Sequence, residues 1–173
     1  MSAQQQVKRF LGLHCIVTIT IIITNYIVDP FHLFYKNIWA KHTYNLNAPF
    51  FNLGLIETFL KKSDDYDSIL IGTSHTQNFI ASEITQVLNT KGTLKLYLFG
   101  GQPVEFEAIA KKALSSNKVK KILWGLETIF FRKPAYTPHS KRTFPYDWYR
   151  TAWGKYTLLM HPTVIKETIW SLV

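Results

Sequence analysis

Ile69-Leu70-Ile71-Gly72-Thr73-Ser74-His75-Thr76-Gln77-Asn78 is an apolar run that ends in a small, turn-forming Gly-Thr-Ser just before a helical pattern begins. It reads as strand, tight turn and helix, with a serine at the bend. Unrelated hydrolases use that geometry to lift a hydroxyl to the carboxyl edge of a sheet, where N–H groups of the next helix stabilise an oxyanion. Ser74 is therefore the candidate nucleophile. The competing reading is structural: Thr73 or Ser74 caps the helix, with Gln77 in capping-box position relative to Ser74.

Downstream, Leu94–Phe99 reads as a second strand followed by Gly100-Gly101-Gln102-Pro103, where Pro103 suits the first turn of a helix running to about Ser115. Lys121–Glu127 reads as a third strand. Strands alternating with helices at this spacing imply βαβ units and a parallel sheet with helices on both faces. Gly72, Gly100, Gly101, Gly125 and Glu127 then fall at strand carboxyl ends, which is where ligands bind in open α/β sheets. The glycines are either oxyanion-hole material or ordinary turn residues. His75 is placed at the rim as a substrate contact, because a neighbour of Ser74 at a helix start points away from it.

Upstream, Phe10–Val28 is an uncharged apolar stretch of 19 residues, bounded by Lys8-Arg9 and Asp29-Pro30. That length spans a bilayer core. Its mild polar residues include Thr18, Thr20 and Thr24, whose hydroxyls can bond back to their own helix. No small-residue cleavage site follows, so the stretch reads as an uncleaved signal anchor. Lys8 and Arg9 hold the N-terminus in the cytoplasm and place the rest outside, although Lys36 and Lys41 make the asymmetry small. Residues 1–9 are thus cytoplasmic, 10–28 a single transmembrane pass, 29–66 a juxtamembrane segment with an interfacial Trp39 and a helix near Leu53–Lys62, 67–131 the α/β core, and 132–173 an aromatic-rich tail.

The chain has 20 Lys+Arg against 11 Asp+Glu, a net charge of +9. Its basic residues are dispersed and no aromatic-interleaved recognition motif accompanies them, so nucleic acid is not the expected partner. The lipid bilayer and an anionic glycan are. The single cysteine, Cys15, excludes an intrachain disulfide and lies inside the apolar span. No lysine-bearing, glycine-rich phosphate loop is present, and no cofactor or metal ion is called for.

Asp29-Pro30 after the anchor, Gly72-Thr73-Ser74, the glycine pair after the second strand and Trp124-Gly125-Leu126-Glu127 together make residues 26–131 resemble the SGNH-type (GDSL-like) hydrolases and transferases. The similar branch is the membrane-anchored, extracytoplasmic one that modifies cell-envelope polysaccharides. The resemblance implies a three-layer, flavodoxin-like α/β sheet with Ser74 as nucleophile and Gly100 or Gly101 as oxyanion donor. It also implies a membrane-bound acyl-transfer partner. Two departures stand out: hydrolytic members carry Gly-x-Asn where this chain has Gly125-Leu126-Glu127, and no Asp-x-x-His follows residue 127. The only such spacing, Asp29-Pro30-Phe31-His32, directly follows the anchor. His139 and His161 in the tail read as surface histidines. With no fourth or fifth strand legible, the sheet reads as incomplete, which leaves two functions: an acyl-ester enzyme, or a non-catalytic envelope protein that holds a glycan or a membrane partner.

Overall fold

The computed structural model describes residues 2–34, 48–131, 144–151 and 153–172. Trp39 and His139 lie outside them. Helix α1 (Ala3–Val28) opens with a capping box between Ser2 and Gln5 and is 26 residues long, about 39 Å at 1.5 Å per residue. It is the one helix among the described residues that is long and apolar enough to cross a membrane. Thr20 and Thr24 donate to the carbonyls of Ile16 and Thr20, so their hydroxyls are satisfied within the helix as their sequence setting implies.

The end of α1 is built into the globular part. Asp29 terminates it in a left-handed conformation (φ 41°), and its carboxylate accepts the Leu33 N–H at 2.7 Å and the Phe34 N–H at 3.0 Å. His32 is buried, and its carbonyl accepts the Thr58 hydroxyl. The Asp-x-x-His at this place is therefore a structural corner. Helix α2 (Ala48–Leu55) follows and runs into a π turn, Ile56–Leu60. Gly54 lets the two segments meet, since a Cβ there would stand 1.6 Å from the Phe31 carbonyl oxygen.

Strands β1 (Ser68–Gly72), β2 (Thr93–Tyr97) and β3 (Lys121–Trp124) form one parallel sheet in the order β2-β1-β3. Ile71 pairs with Leu96 and Trp124. β1 is central and buried along its whole length, which explains its unbroken Ile-Leu-Ile run. Helix α3 (Ala81–Leu88) packs beside β2, and α4 (Pro103–Leu114) packs on β1. Ile56, Leu60, Ile69, Ile71, Phe106 and Ile109 fill the core between the α2–π segment, α4 and the sheet. β3 is a largely exposed edge, and no strand follows it among the described residues. The tail instead adds α5 (Tyr146–Arg150), α6 (Gly154–Thr157), a 3₁₀ turn (Leu158–Met160) and α7 (Pro162–Leu172).

Buried charge ties these layers together. Lys112 on α4 reaches Glu57 at 3.3 Å, and Glu57 also pairs with Lys61 at 2.8 Å. Burial pushes the Glu57 carboxyl up, but hydrogen bonds and charge from Lys61 and Lys112 outweigh it and hold it below its ordinary value. Burial likewise pushes the Lys112 ammonium down, only partly offset by Glu57.

Candidate functional site at the carboxyl edge of the sheet

The three strands end together, because Leu98 N–H donates to the Gly72 carbonyl and Gly125 N–H to that of Ile71. After Gly72 the chain makes a separate 3₁₀ helix, Ser74–Asn78, before α3 starts at Ala81. Thr73 and Ser74 were alternative caps, yet Thr73 forms no side-chain cap bond and α3 starts after Ile80. The capping explanation of the serine is therefore not what is built.

Thr76 fixes the turn instead. Its hydroxyl donates to the Thr73 carbonyl at 2.7 Å. Its methyl occupies the space that a Cβ would take at both Gly72 (2.2 Å to Cγ2) and Gly125 (2.5 Å to Cγ2). Two glycines from different strands thus seat one methyl and press the 3₁₀ helix onto the sheet end. Ser74 is left half-buried, and its hydroxyl has no hydrogen-bond partner among the described residues.

His75 and Glu127, placed by the sequence on separate motifs, meet here: Nδ1 lies 3.0 Å from Oε1. The approach is close enough for an ion pair but is not aligned as a hydrogen bond, and that oxygen has no other partner among the described residues. The imidazole is exposed and the carboxylate mostly covered. His75 therefore points toward a carboxylate from the third strand end while its ring stays exposed at the rim.

Gly100 adopts a left-handed conformation (φ 56°) that favours glycine. Gly101 is small for packing: a Cβ there would stand 2.4 Å from the Phe106 ring. Its N–H donates to the Leu98 carbonyl at 3.1 Å, so the oxyanion role expected of Gly101 is not available to it as built. His161 is no surface residue. It is half-buried against Phe50, its Nδ1 accepts the Thr163 N–H, and burial lowers its pKa.

Two buried polar residues here were not read as part of the site, Thr73 having been offered only as a helix cap. Thr73 is buried, and its hydroxyl has no partner among the described residues. Glu105 is fully buried at the start of α4, where its carboxylate accepts the Gln102 N–H at 2.8 Å. The Gln-Pro-x-Glu spacing after Gly101 was the available signal for Glu105; nothing local marks Thr73. A cleft of about 530 Å³ lies between α4 and α5, lined by Lys61, Lys111, Lys112, Arg150 and Tyr146 among others. No family model matches the chain, nor does any curated protein or solved structure. The class that the fold defines is an α/β protein with a three-stranded parallel sheet behind an apolar N-terminal helix.

Proposed function

We propose that the chain is a membrane-anchored, extracytoplasmic SGNH-like protein that acts on acyl esters of cell-envelope glycans, with Ser74 as nucleophile. The observation that carries this is a serine hydroxyl without a hydrogen-bond partner among the described residues, on a turn that Thr76 holds at the shared carboxyl edge, next in sequence to the His75 that pairs with Glu127. The order β2-β1-β3 supports it, being that of the first three strands of a flavodoxin-like sheet. An imidazole with Nδ1 facing a carboxylate presents its other nitrogen as a proton acceptor.

In this reading Ser74 Oγ attacks the ester carbonyl carbon, its proton passes to His75 once the exposed imidazole turns from the rim toward Ser74, and the sugar alcohol leaves with that proton. Water or a second hydroxyl then takes the acyl group from the serine, and His75 receives and returns the proton. The N–H groups of Ser74 and Gly100 serve the oxyanion in place of that of Gly101. Hydrolysis of a chromogenic acetyl ester by the detergent-solubilised full chain tests this. Ser74→Ala is expected to lower it on the order of 10³-fold or more. Equal rates in the two proteins would end the enzymatic reading.

The alpha4–alpha5 cleft favours a second reading, a non-catalytic protein that holds an anionic glycan. Its lysines and arginine sit beside Tyr146, with Glu57 and Glu107 offsetting only part of their charge. Trp148, an aromatic of the tail, is buried in the core. Loss of glycan binding in Arg150→Ala, with Ser74→Ala unaffected, would support this alternative.

A further inference from the structure

We infer that the bilayer holds a second part of this chain, with α7 lying in the leaflet from which α1 emerges. The inference rests on reading α1 as the membrane anchor. The covered positions on the second half of α1 include Thr18, Ile21, Ile22, Asn25 and Val28, spaced as one helical face. The elements packed on α1 are α7 and the 3₁₀ turn before it. Asn25 Nδ2 donates to the Leu159 carbonyl at 2.5 Å and pins that turn to the helix.

From Thr18 to Val28 is about 15 Å of helix axis, half of a hydrocarbon core of about 30 Å. α7, with 11 residues, is about 16 Å long and matches that half-span. Val164, Glu167 and Thr168 face the protein, whereas Ile169, Trp170 and Leu172 are 58%, 63% and 66% exposed. Those three apolar side chains lie open on a helix packed against α1, whose own Ile19, Ile23 and Ile27 are likewise exposed. Lys166 is exposed close to the middle of α7, from where its long side chain can snorkel toward the headgroups.

A ladder of aromatic rings joins the end of α1 to the tail. Tyr26 meets Phe34 at 4.9 Å, Phe34 meets Tyr156 at 5.7 Å, and Tyr156 meets Trp153 at 5.8 Å. Lys155 stands over both Phe34 and Tyr156. Exposed Trp and Tyr with a lysine is the composition of a membrane interface. The protein thereby sits on the bilayer through two helices and a belt, with its orientation fixed.

The test uses the full chain in lipid nanodiscs, in a Cys15→Ala background, carrying one of Ile16→Cys, Ile169→Cys or Val87→Cys, and a membrane-impermeant maleimide. Val87 on α3 is 82% exposed and reports water; Ile16 reports the anchor. Ile169→Cys is expected to react at least tenfold more slowly than Val87→Cys, and a nitroxide there should meet oxygen more readily than a water-soluble nickel chelate. Rapid labelling of Ile169→Cys with Ile16→Cys still protected would put α7 in water and overturn the inference. A nitroxide shielded from both agents would also overturn it, by placing α7 in a protein interface. Rapid labelling of Ile16→Cys would remove the anchor itself.

Discussion

At the amino end of the sheet, Ser68 Oγ lies 2.8 Å from Thr93 Oγ1, 3.0 Å from Thr90 Oγ1 and 3.0 Å from the Gly92 carbonyl, and Asp67 accepts the Lys91 N–H at 2.8 Å. At the carboxyl end of the same strands, the buried Thr73 hydroxyl has no partner among the described residues, the Ser74 hydroxyl stands half-buried beside it, and Glu127 Oε1 faces only His75. Buried polar groups are normally hydrogen-bonded, so the first end is what stability alone produces. The second end departs from it where an open α/β sheet receives its ligand. The strands are common to both ends, so the contrast belongs to the loops.

Ser74→Ala should split the two ends most sharply. With Ser74 as the proposed nucleophile, ester hydrolysis should fall on the order of 10³-fold, while stability should change by less than about 0.5 kcal/mol because no bond is lost. A clear loss of stability would show that the hydroxyl has a structural partner. Gly125→Ala comes next: its Cβ would stand 2.5 Å from the Thr76 methyl, which should cost about 1–3 kcal/mol and displace Ser74. Adding Thr76→Ser removes the methyl and should restore both stability and activity; failure to do so would mean that Thr76 does not set the turn. Ser68→Ala, at the other end, should cost about 1–3 kcal/mol by leaving two threonine hydroxyls short of a partner. Its activity per folded molecule should be unchanged in the same ester assay.

Much of the sheet was legible because its signals are local. The Ile69–Ile71 run, Pro103 at the first turn of α4 and the glycine after each strand mark their elements within a few residues. The 3₁₀ helix was not, since a serine followed three residues later by Gln77 reads as an ordinary helix start. What decides the turn is the Thr76 methyl between Gly72 and Gly125, two residues far apart in the chain. The His75–Glu127 pair is hidden for the same reason. In the tail, Trp148 is buried and Trp153 is 77% exposed, although their local sequences are similarly aromatic. Asn25 lies within the apolar Phe10–Val28 stretch, and only the fold brings the Leu159 carbonyl to it.

The amino end also carries the pH dependence. Burial pushes the Asp67 carboxyl up, but the Lys91 and Gly92 amides and Lys120 outweigh it and leave its pKa below the ordinary 3.8. A carboxyl with a lowered folded pKa stabilises the protein above its unfolded value, and that contribution is lost as pH falls through the folded one. Stability should therefore decline below pH 3.8, and Asp67→Asn should flatten that decline in denaturation midpoints measured between pH 5 and pH 3 (about one unit either side of an ordinary carboxyl). An unchanged slope would remove Asp67 from the set of bonds that hold this end.

Thr73→Val has the smallest expected effect and the most direct bearing on the contrast between the ends. Thr73 is 3% exposed and its hydroxyl lacks a partner among the described residues. A methyl of the same shape relieves a buried unsatisfied group, so the variant should gain about 1 kcal/mol. At the amino end the equivalent change at Thr93 would lose stability, because that hydroxyl bonds Ser68 and Thr85. If the Thr73 hydroxyl meets substrate, Thr73→Val unfolds at higher denaturant than the parent while hydrolysing the ester more slowly. That is the trade expected of a group kept unsatisfied for function. A destabilised Thr73→Val would mean that the hydroxyl is bonded after all, and the carboxyl end would then be as fully partnered as the amino end.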